Sequence, residues 1–286
     1  MRLQVFLSRN GVSSRREALE IVKAGTVEVN GTVIDEPSFE VDPTKDRVMC
    51  KGITIEPKPY KYILMNKPKN VTTTKFDPHA TKTVYDILPK HFNFVAPVGR
   101  LDRDTEGLLL LTNDGDVAHA LTHPSFKVEK TYYACVEGRL DGESKTKLET
   151  GVYLDGIKTA PCHIQILRKS KEMTEVRITL HEGRNRQVRR MFAKVKTRVK
   201  FLQRIEQGPL KLGNSKPGWW RELTTEEVAA LKEIVQKNRL KEEQVSDSIV
   251  TRKPGSGKSF WKSKALKKLK PKQKINIRSK KVYGRK

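Results

Sequence analysis

The spacing of apolar residues predicts helices at the start of the chain and strands further along. Residues 3–7 place leucine and phenylalanine at helical intervals, and Ser14 with Glu17 forms the capping-box pattern that begins a second helix. Asn30-Gly31 then stands between apolar residues, which is a strong short-range signal for a β-hairpin. We therefore predict a small helix-helix-hairpin unit over residues 1–48.

A different pattern begins near Tyr60, after a proline-containing connector that we place at residues 49–59. Residues 62–65 and 108–111 are short, uninterrupted apolar runs of the kind that form buried strands. Residues 176–180 alternate between apolar and polar, as a half-buried strand does. These strands predict a second domain that contains a sheet.

Helical spacing returns at residues 188–195, and Thr224 with Glu227 caps a last predicted helix. Beyond that helix the charge rises and the apolar periodicity fades. We predict that the second domain spans residues 60–238 and that residues 239–286 form a basic, disordered tail. Lysine-rich sequence without an apolar face cannot offset the entropy that ordering costs.

The charge of the chain narrows the class of its partner. Its 286 residues include 58 Lys and Arg against 33 Asp and Glu, a formal net charge of +25. Residues 251–286 supply fifteen of the positive charges and no acid, so the first 250 residues still carry +10. A surplus of this size indicates a polyanionic partner such as nucleic acid.

Several classes of protein are disfavoured by what the sequence lacks. No apolar run approaches the roughly 20 residues of a membrane-spanning helix, and no apolar leader follows Met1, so we expect a cytoplasmic location without a membrane partner. Three distant cysteines and six scattered histidines predict neither a disulfide framework nor a metal site. Residues 255–259 end like a phosphate-binding loop, but Arg252 occupies the position of that motif's first glycine.

A charged loop precedes the apolar run at residues 108–111. It reads Gly99-Arg100-Leu101-Asp102-Arg103-Asp104-Thr105-Glu106-Gly107. Composition alone favours an ordinary charged surface turn, because loops are polar for solvation. Asp102 and Asp104 could suggest a glycosidase pair, but nothing in the loop sets the separation across a sugar that such a pair needs.

Together with Leu111-Thr112-Asn113-Asp114-Gly115, this loop closely resembles the signature of the RsuA-type pseudouridine synthases, which include RluB-like enzymes acting on ribosomal RNA. The resemblance extends over nearly the whole predicted globular part. It includes Asn66-Lys67-Pro68, Lys130-Thr131-Tyr132, Glu182-Gly183-Arg184-Asn185-Arg186-Gln187-Val188-Arg189-Arg190-Met191 and Pro217-Gly218-Trp219-Trp220-Arg221-Glu222-Leu223-Thr224. It implies an α+β fold whose catalytic domain contains a mixed, mainly antiparallel sheet.

In that family the aspartate of the Gly-Arg-Leu-Asp stretch is the essential carboxylate, and it falls here on Asp102. The reaction breaks the bond between ribose C1′ and uracil N1 and rejoins the base through C5 without redox change. The resemblance therefore implies an isomerase that needs no cofactor. The carboxylate could attack C1′, add to C6 of the base or abstract the C2′ proton, and the sequence leaves these routes open. All three require an ionised carboxylate.

The resemblance implies that the guanidinium of Arg189 is the cation that keeps Asp102 ionised. Such a cation is needed because burial raises the pKa of an acid, whereas a neighbouring cation lowers it. Arg184, Arg186 and Arg190 surround it at the predicted start of a helix. Arginines in such clusters usually bind backbone phosphate, which is the alternative role for Arg189. We expect phosphate contacts from the other three.

Tyr132 matches the tyrosine that, in the wider superfamily, stacks on the target base and can help to remove the C5 proton. The alternative is a core tyrosine in a strand over residues 132–136, where alternation would bury one of two adjacent rings. An arrangement with Tyr132 facing the site and Tyr133 facing away satisfies both interpretations.

Residues 1–48 resemble the small RNA-binding domain named for ribosomal protein S-four, through residues 13–18 and Val29-Asn30-Gly31. The resemblance implies that basic side chains of this domain contact phosphates, which positions RNA without reading its sequence. A solvated helix face is the alternative. The expected RNA contacts are Arg9, Arg15, Arg16 and Lys23 in this domain, with Lys67 and Arg100 in the second.

The resemblance points to ribosomal RNA, more to 23S than to 16S, and we expect the chain to act as a monomer. Two alternatives are a non-catalytic ribosome-assembly factor, in which the old site serves for docking, and an RNA-directed hydrolase that uses the same carboxylate. The modified uridine cannot be read from the sequence, because base pairing and RNA shape select it.

Overall fold

The computed structural model describes residues 1–75 and 77–250, with side chains as far as residue 240, and in it the predicted capping box starts the second helix. The Ser14 hydroxyl accepts the amide N–H of Glu17 at 3.3 Å, and the Glu17 carboxylate accepts that of Ser14 at 2.9 Å. The N-terminal elements are α1 (Leu3–Arg9), α2 (Arg15–Lys23), β1 (Val27–Val29), β2 (Thr32–Val33), β3 (Val48–Cys50) and β4 (Ile53–Thr54).

The N-terminal sheet continues past the predicted domain boundary at residue 48. It has the strand order β2-β1-β3-β4, so the predicted linker, residues 49–59, includes the end of β3 and all of β4. Lys51 and Gly52 both have positive φ angles, of 49° and 76°, and form the tight turn between these two strands. Lys51-Gly52 is a turn signal within the predicted linker.

The remainder of the predicted linker is hydrogen-bonded to the C-terminal end of α1. The Lys58 amide donates to the side-chain oxygen of Asn10 at 2.7 Å, and Arg9 donates to the Lys58 carbonyl at 3.2 Å. The Arg9 guanidinium also lies 3.9 Å from the centre of the Tyr60 ring. These contacts fix the N-terminal domain to the first residues of the second domain.

The second domain is built on one large sheet with the strand order β11-β12-β8-β13-β7-β5-β15, while β14 pairs with β13 and β6 with β7. Neighbouring strands run antiparallel except β13 and β7, which are parallel. This arrangement confirms the expected α+β fold with a mixed, mainly antiparallel sheet. The strands are β5 (Tyr62–Lys67), β6 (Ala96–Pro97), β7 (Glu106–Thr112), β8 (Lys130–Glu137), β9 (Tyr153–Leu154), β10 (Ile157–Lys158), β11 (His163–Lys169), β12 (Met173–Leu180), β13 (Val199–Gln207), β14 (Leu210–Lys211) and β15 (Trp220–Glu222), with β9 and β10 forming a separate hairpin.

The two uninterrupted apolar runs lie in β5 and β7, which pair with each other between β13 and β15 and are covered on both faces. Leu64, Leu108 and Leu110 enter one core cluster. Ile63 and Leu109 enter another on the opposite face. Because both faces are buried, neither strand needs the alternation seen in β12, and this explains the predicted pattern.

The helices of the second domain cover the sheet. They are α3 (Gly115–Thr122), α4 (Gly142–Thr150), α5 (Gln187–Lys194) and α6 (Thr225–Val250), with single 3₁₀ turns at Val84–Asp86, Lys90–Phe92 and Pro124–Phe126. The predicted end of the domain at residue 238 falls inside α6, because no glycine or proline interrupts the sequence before Pro254. From residue 251 onward, the predicted tail lies outside the described residues. None of the described helices is long and apolar enough to cross a membrane.

Candidate active site

The loop that carries Asp102 is anchored on both sides before it enters β7. Leu101 is buried, and its carbonyl accepts the Thr73 hydroxyl at 2.9 Å. The Arg103 carbonyl accepts the amide of Asn70 at 2.7 Å. Asp102 therefore projects from a fixed turn with its side chain 30% exposed.

This loop forms one wall of a cleft of about 480 Å³. The floor is the face of β8 and β13, where Tyr132 lies directly opposite Arg204 in the strand register. The far wall is the segment between β12 and α5, which includes Glu182 and Arg186. Asp102 and Tyr132 thus line the same cleft, although they are distant in sequence.

Tyr132 and Tyr133 occupy opposite faces of β8, as the alternation of a strand requires. Tyr132 lines the cleft. The Tyr133 hydroxyl instead donates to the carboxylate of Glu175 at 2.9 Å, outside the cleft. Burial, together with the neighbouring Cys135 and Glu175, raises the pKa of the Tyr133 hydroxyl.

The arginine nearest to Asp102 is Arg186 and not Arg189, which corrects the predicted ion pair. Arg186 Nη1 lies 3.7 Å from Asp102 Oδ2, and the same guanidinium donates to both carboxylate oxygens of Asp104 at 2.9 and 3.0 Å. Arg186 has the left-handed φ of 47° at the N-cap of α5. The predicted phosphate contact at Arg186 is thus replaced, in this structure, by contacts with Asp102 and Asp104.

Arg189 fastens that loop from the first turn of α5. It donates to the Asp104 carbonyl at 2.8 Å and to the Val199 carbonyl at 3.0 Å, and its Nε lies 3.2 Å from Asp104 Oδ2. The hydrogen bond from Arg186, joined by the charge of Arg189, holds the pKa of Asp104 below its usual range. Arg189 therefore reaches Asp102 only through Asp104.

Two of the remaining arginines have structural partners where the sequence predicts phosphate contacts. Arg184 binds Glu182 at 3.2 Å and donates to the carbonyls of Ile157 and Lys158, in β10, at 3.0 and 2.8 Å. Arg190 binds Asp155 at the tip of the same hairpin at 2.5 Å. They attach the β9–β10 hairpin to the wall of the cleft, because a guanidinium can serve several acceptors at once.

Lys67 is fully buried and cannot contact RNA in this structure, contrary to its predicted role. Its ammonium donates to the Pro68 carbonyl at 2.9 Å. The physical reason is its position at the end of β5, where every residue of the strand is buried. Arg100, in contrast, is exposed and lines the mouth of the cleft.

Of the RNA contacts predicted in the N-terminal domain, one residue has structural partners and the others are exposed. Arg9 is occupied by Lys58 and Tyr60, so it fixes the domain instead of binding RNA. Arg15, Arg16 and Lys23 are exposed along α2. These three remain available to an RNA phosphate.

The floor of the cleft contains polar residues to which the sequence assigned no role. Lys130 and Gln207 are opposite each other in the register, two positions beyond Tyr132. Arg204 is 2% exposed with its Nη2 unpartnered, and both amide atoms of the buried Gln207 are unpartnered. Lys130 belonged to a quoted motif, but Arg204 and Gln207 carried no signal that separates them from ordinary strand residues.

Two of these floor residues, Lys130 and Arg204, bring positive charge beneath the cleft. Neither has a carboxylate within 4.0 Å among the described residues. Burial, assisted by the charge of Arg204, lowers the pKa of the Lys130 ammonium. Because both groups only donate hydrogen bonds, the floor favours carbonyl oxygens and negative charge. No cluster of potential metal ligands occurs in the described part of the chain.

A cleft that contains a carboxylate, a tyrosine and the cations Lys130 and Arg204, on a mixed sheet that follows a small domain with exposed basic residues along α2, indicates the class of nucleic-acid-modifying enzymes. Two family models match the chain. Residues 61–194 match the family of RNA pseudouridylate synthases, and residues 1–48 match the S4 domain.

Relatives cover most of the chain. It is 40% identical over 232 residues to an RNA pseudouridine synthase of Aquifex aeolicus, an alignment that covers 81% of this chain and 93% of the relative. It is 41% identical over 235 residues to ribosomal large subunit pseudouridine synthase B of Bacillus subtilis, covering 82% and 96%. A crystal structure of a pseudouridylate synthase matches with a TM-score of 0.59 and 28% identity, covering 81% of this chain and 99% of that one.

The chain therefore belongs to the RNA pseudouridine synthase family, with an N-terminal S4 domain. It is an enzyme that isomerises uridine to pseudouridine in RNA.

Proposed function

We propose that this enzyme forms pseudouridine at a specific uridine of 23S ribosomal RNA, with Asp102 as its catalytic carboxylate and without a cofactor. The similarity to an enzyme named for the large ribosomal subunit supports the choice of RNA. The observation that carries the choice of residue is the position of Asp102, in the same cleft as Tyr132 and 3.7 Å from Arg186.

The reaction is balanced within the substrate. The C1′–N1 bond breaks, the uracil turns in the cleft, and C1′ bonds to C5, while N1 gains a proton and C5 loses one. Asp102 acts as an anion by attack on C1′, by addition to C6 or by removal of the C2′ proton. Arg186 favours the ionised form of this carboxylate, since an adjacent cation stabilises negative charge.

The positive charge on the floor of the cleft matches the uracil leaving group. When the C1′–N1 bond breaks, negative charge spreads onto the ring and carbonyl oxygens of uracil. Lys130 and Arg204 would stabilise that charge, because the half-buried ammonium and the buried guanidinium are already placed beneath the cleft. Tyr132, opposite Arg204, would stack on the extruded base and help to remove the C5 proton.

Mapping pseudouridine in ribosomal RNA from cells that lack this gene tests the proposal. We expect one or more 23S positions to lose the modification and to regain it when purified enzyme is added. A loss confined to 16S RNA would contradict the substrate assignment. Release of free uracil or cut strands, instead of RNA of unchanged mass, would contradict isomerisation at this site.

A further inference from the structure

A second groove, of about 540 Å³, lies beside the catalytic cleft on the other side of the Asp102 loop. Arg186 lines both cavities, and Asp104 lies at the boundary between them. The cationic residues that line this groove are Lys69, Arg186, Arg189, Lys196, Arg198 and Lys200. The nearby carboxylates, Asp104 and Glu137, cannot neutralise a groove of this composition.

Only part of that positive charge has a partner. Asp104 pairs with Arg186 and Arg189, and Lys200 pairs with Glu137 at 3.2 Å. Lys69, Lys196 and Arg198 are exposed, and within the described ranges none of them has a carboxylate within 4.0 Å. Like charges gathered in one groove repel each other, so the arrangement favours an anionic ligand.

The end of α5 does not explain these cations. Lysines often gather at a helix C-terminus to bind its free carbonyls. Here backbone amides already do so: those of Val195 and Thr197 donate to the Phe192 carbonyl, and that of Lys196 donates to Ala193. Lys69 comes from a different segment, the turn after β5. The side chains of Lys69, Lys196 and Arg198 are therefore free to serve a ligand.

We propose that this groove, defined by Lys69, Lys196 and Arg198, binds the phosphodiester backbone of the RNA strand next to the target uridine. The inference rests on the proposed function, since a uridine extruded into the cleft keeps a phosphate on each side. Because Arg186 lines both cavities, the groove is the surface next to the cleft that one of these two phosphates would meet. None of the described residues that line the groove is aromatic, so they offer charge to phosphates and no platform for stacking bases.

The test compares two variants with the same loss of charge. The first carries Lys69→Gln, Lys196→Gln and Arg198→Gln. The control carries Arg168→Gln, Lys169→Gln and Lys171→Gln, which lie exposed on the β11–β12 hairpin at the sheet edge. Binding of each to single-stranded oligouridylate is measured against salt concentration. Turnover is measured on ribosomal RNA from cells lacking the gene, and thermal unfolding shows whether each variant is folded.

We expect the slope of log affinity against log salt to flatten by about 2 in the groove variant, since each lost phosphate contact on a single strand removes about 0.7. The KM for ribosomal RNA should rise roughly tenfold or more while kcat stays at its wild-type value. The control variant should change the slope by less than half as much.

Equal slopes in the two variants, or a lower kcat with unchanged KM, would overturn the groove assignment. The assignment would also be overturned if the wild-type enzyme bound polyglutamate as tightly as oligouridylate. The ligand of the groove would then be an acidic protein segment and not RNA. A failure of the proposed function can be distinguished from a failure of the groove assignment, because wild-type enzyme would then form no pseudouridine in this RNA.

Discussion

Lys67 places an ammonium group inside the catalytic domain, and its titration reports on that burial. Desolvation lowers its pKa from 10.5 to about 8, while the negative charges of Glu106, Asp102 and Asp104 oppose the shift. The folded protein thus binds this proton less tightly than the unfolded chain. Between pH 8 and 10.5 the unfolded chain holds more of the proton, so the free energy of unfolding rises with pH in that window.

Lys67→Met should therefore stabilise the protein at pH 7 by ~2 kcal/mol, because it removes a buried charge that pairs with no carboxylate among the described residues. The advantage over wild type should shrink as the pH rises through the same window. Chemical denaturation at several pH values measures it. Lys69→Met, at an exposed neighbour, should show no such pH dependence. A constant advantage at every pH would mean that folding does not shift the pKa of Lys67.

For single residues, the sequence predicted which side chains line the cleft better than it predicted which groups those side chains contact. The motif selected Asp102, which lines the cleft. It could not separate Arg186 from Arg189, because the choice depends on the left-handed backbone at Arg186, which brings its guanidinium to Asp104. Nor could charge alone show that Lys67 would be buried, since its environment is set by strands distant in sequence.

Among the elements, the parallel contact between β7 and β13 depends on one glycine. Gly107 has a φ of 108°, and a Cβ at this position would lie 2.2 Å from the carbonyl oxygen and 2.6 Å from the amide nitrogen of Arg204. The close approach brings Arg204 under the cleft, where its Nε donates to the Leu108 carbonyl at 2.8 Å. A side chain here must either separate the strands or distort the backbone.

Gly107→Ala should lower the free energy of unfolding by at least about 2 kcal/mol, because neither strand backbone can move aside cheaply. The matched control is Gly115→Ala at the start of α3, where a Cβ meets no atom within 4 Å and φ is not positive. That change should stabilise by about 0.5 kcal/mol. Thermal or urea unfolding compares the two, and equal effects would show that the β7–β13 contact tolerates a side chain.

Elements with strong local signals could be predicted, and those set by pairing could not. The buried runs of β5 and β7 and the capped helices occur where spacing placed them. The hairpin of β9 and β10 was missed although Asp155-Gly156 forms its turn, with φ angles of 53° and 76°. Its strands are only two residues long, so no hydrophobic period could develop.

On the scale of the whole molecule, the S4 domain is held against the catalytic domain by the residues that join them. Asn113, at the end of β7, accepts the amide of Lys61 at 2.8 Å and donates to the Pro59 carbonyl at 3.0 Å. The side chain of Lys58 lies 4.6 Å from the Phe94 ring centre. A fixed connection of this kind sets the distance between the S4 domain and the cleft, which composition could not predict.

The S4 domain should supply binding energy without taking part in the chemistry. Replacing Arg15, Arg16 and Lys23 by Gln should weaken binding to ribosomal RNA fragments and flatten its salt dependence by about 2 to 3, one for each lost phosphate contact. The kcat at saturating RNA should not change. Deletion of residues 1–56, which removes the complete N-terminal sheet, should flatten the slope at least as far. An unchanged slope after either change would show that the domain is not an RNA clamp.

Tritium release from ribosomal RNA labelled at uracil C5 measures directly whether Asp102 carries the reaction. C5 loses its hydrogen when it bonds to C1′, so each turnover releases tritium to water. Asp102→Asn should lower the rate by about a thousandfold or more, with unchanged RNA affinity, because the amide keeps the shape but cannot carry the charge.

Asp104→Asn, measured beside it, should keep most of the rate and instead lose stability, by about 1 kcal/mol after solvent screening, since it breaks the pairs with Arg186 and Arg189. Near wild-type release of tritium by Asp102→Asn, or a greater loss of rate in Asp104→Asn, would contradict the assignment of Asp102 as the catalytic carboxylate.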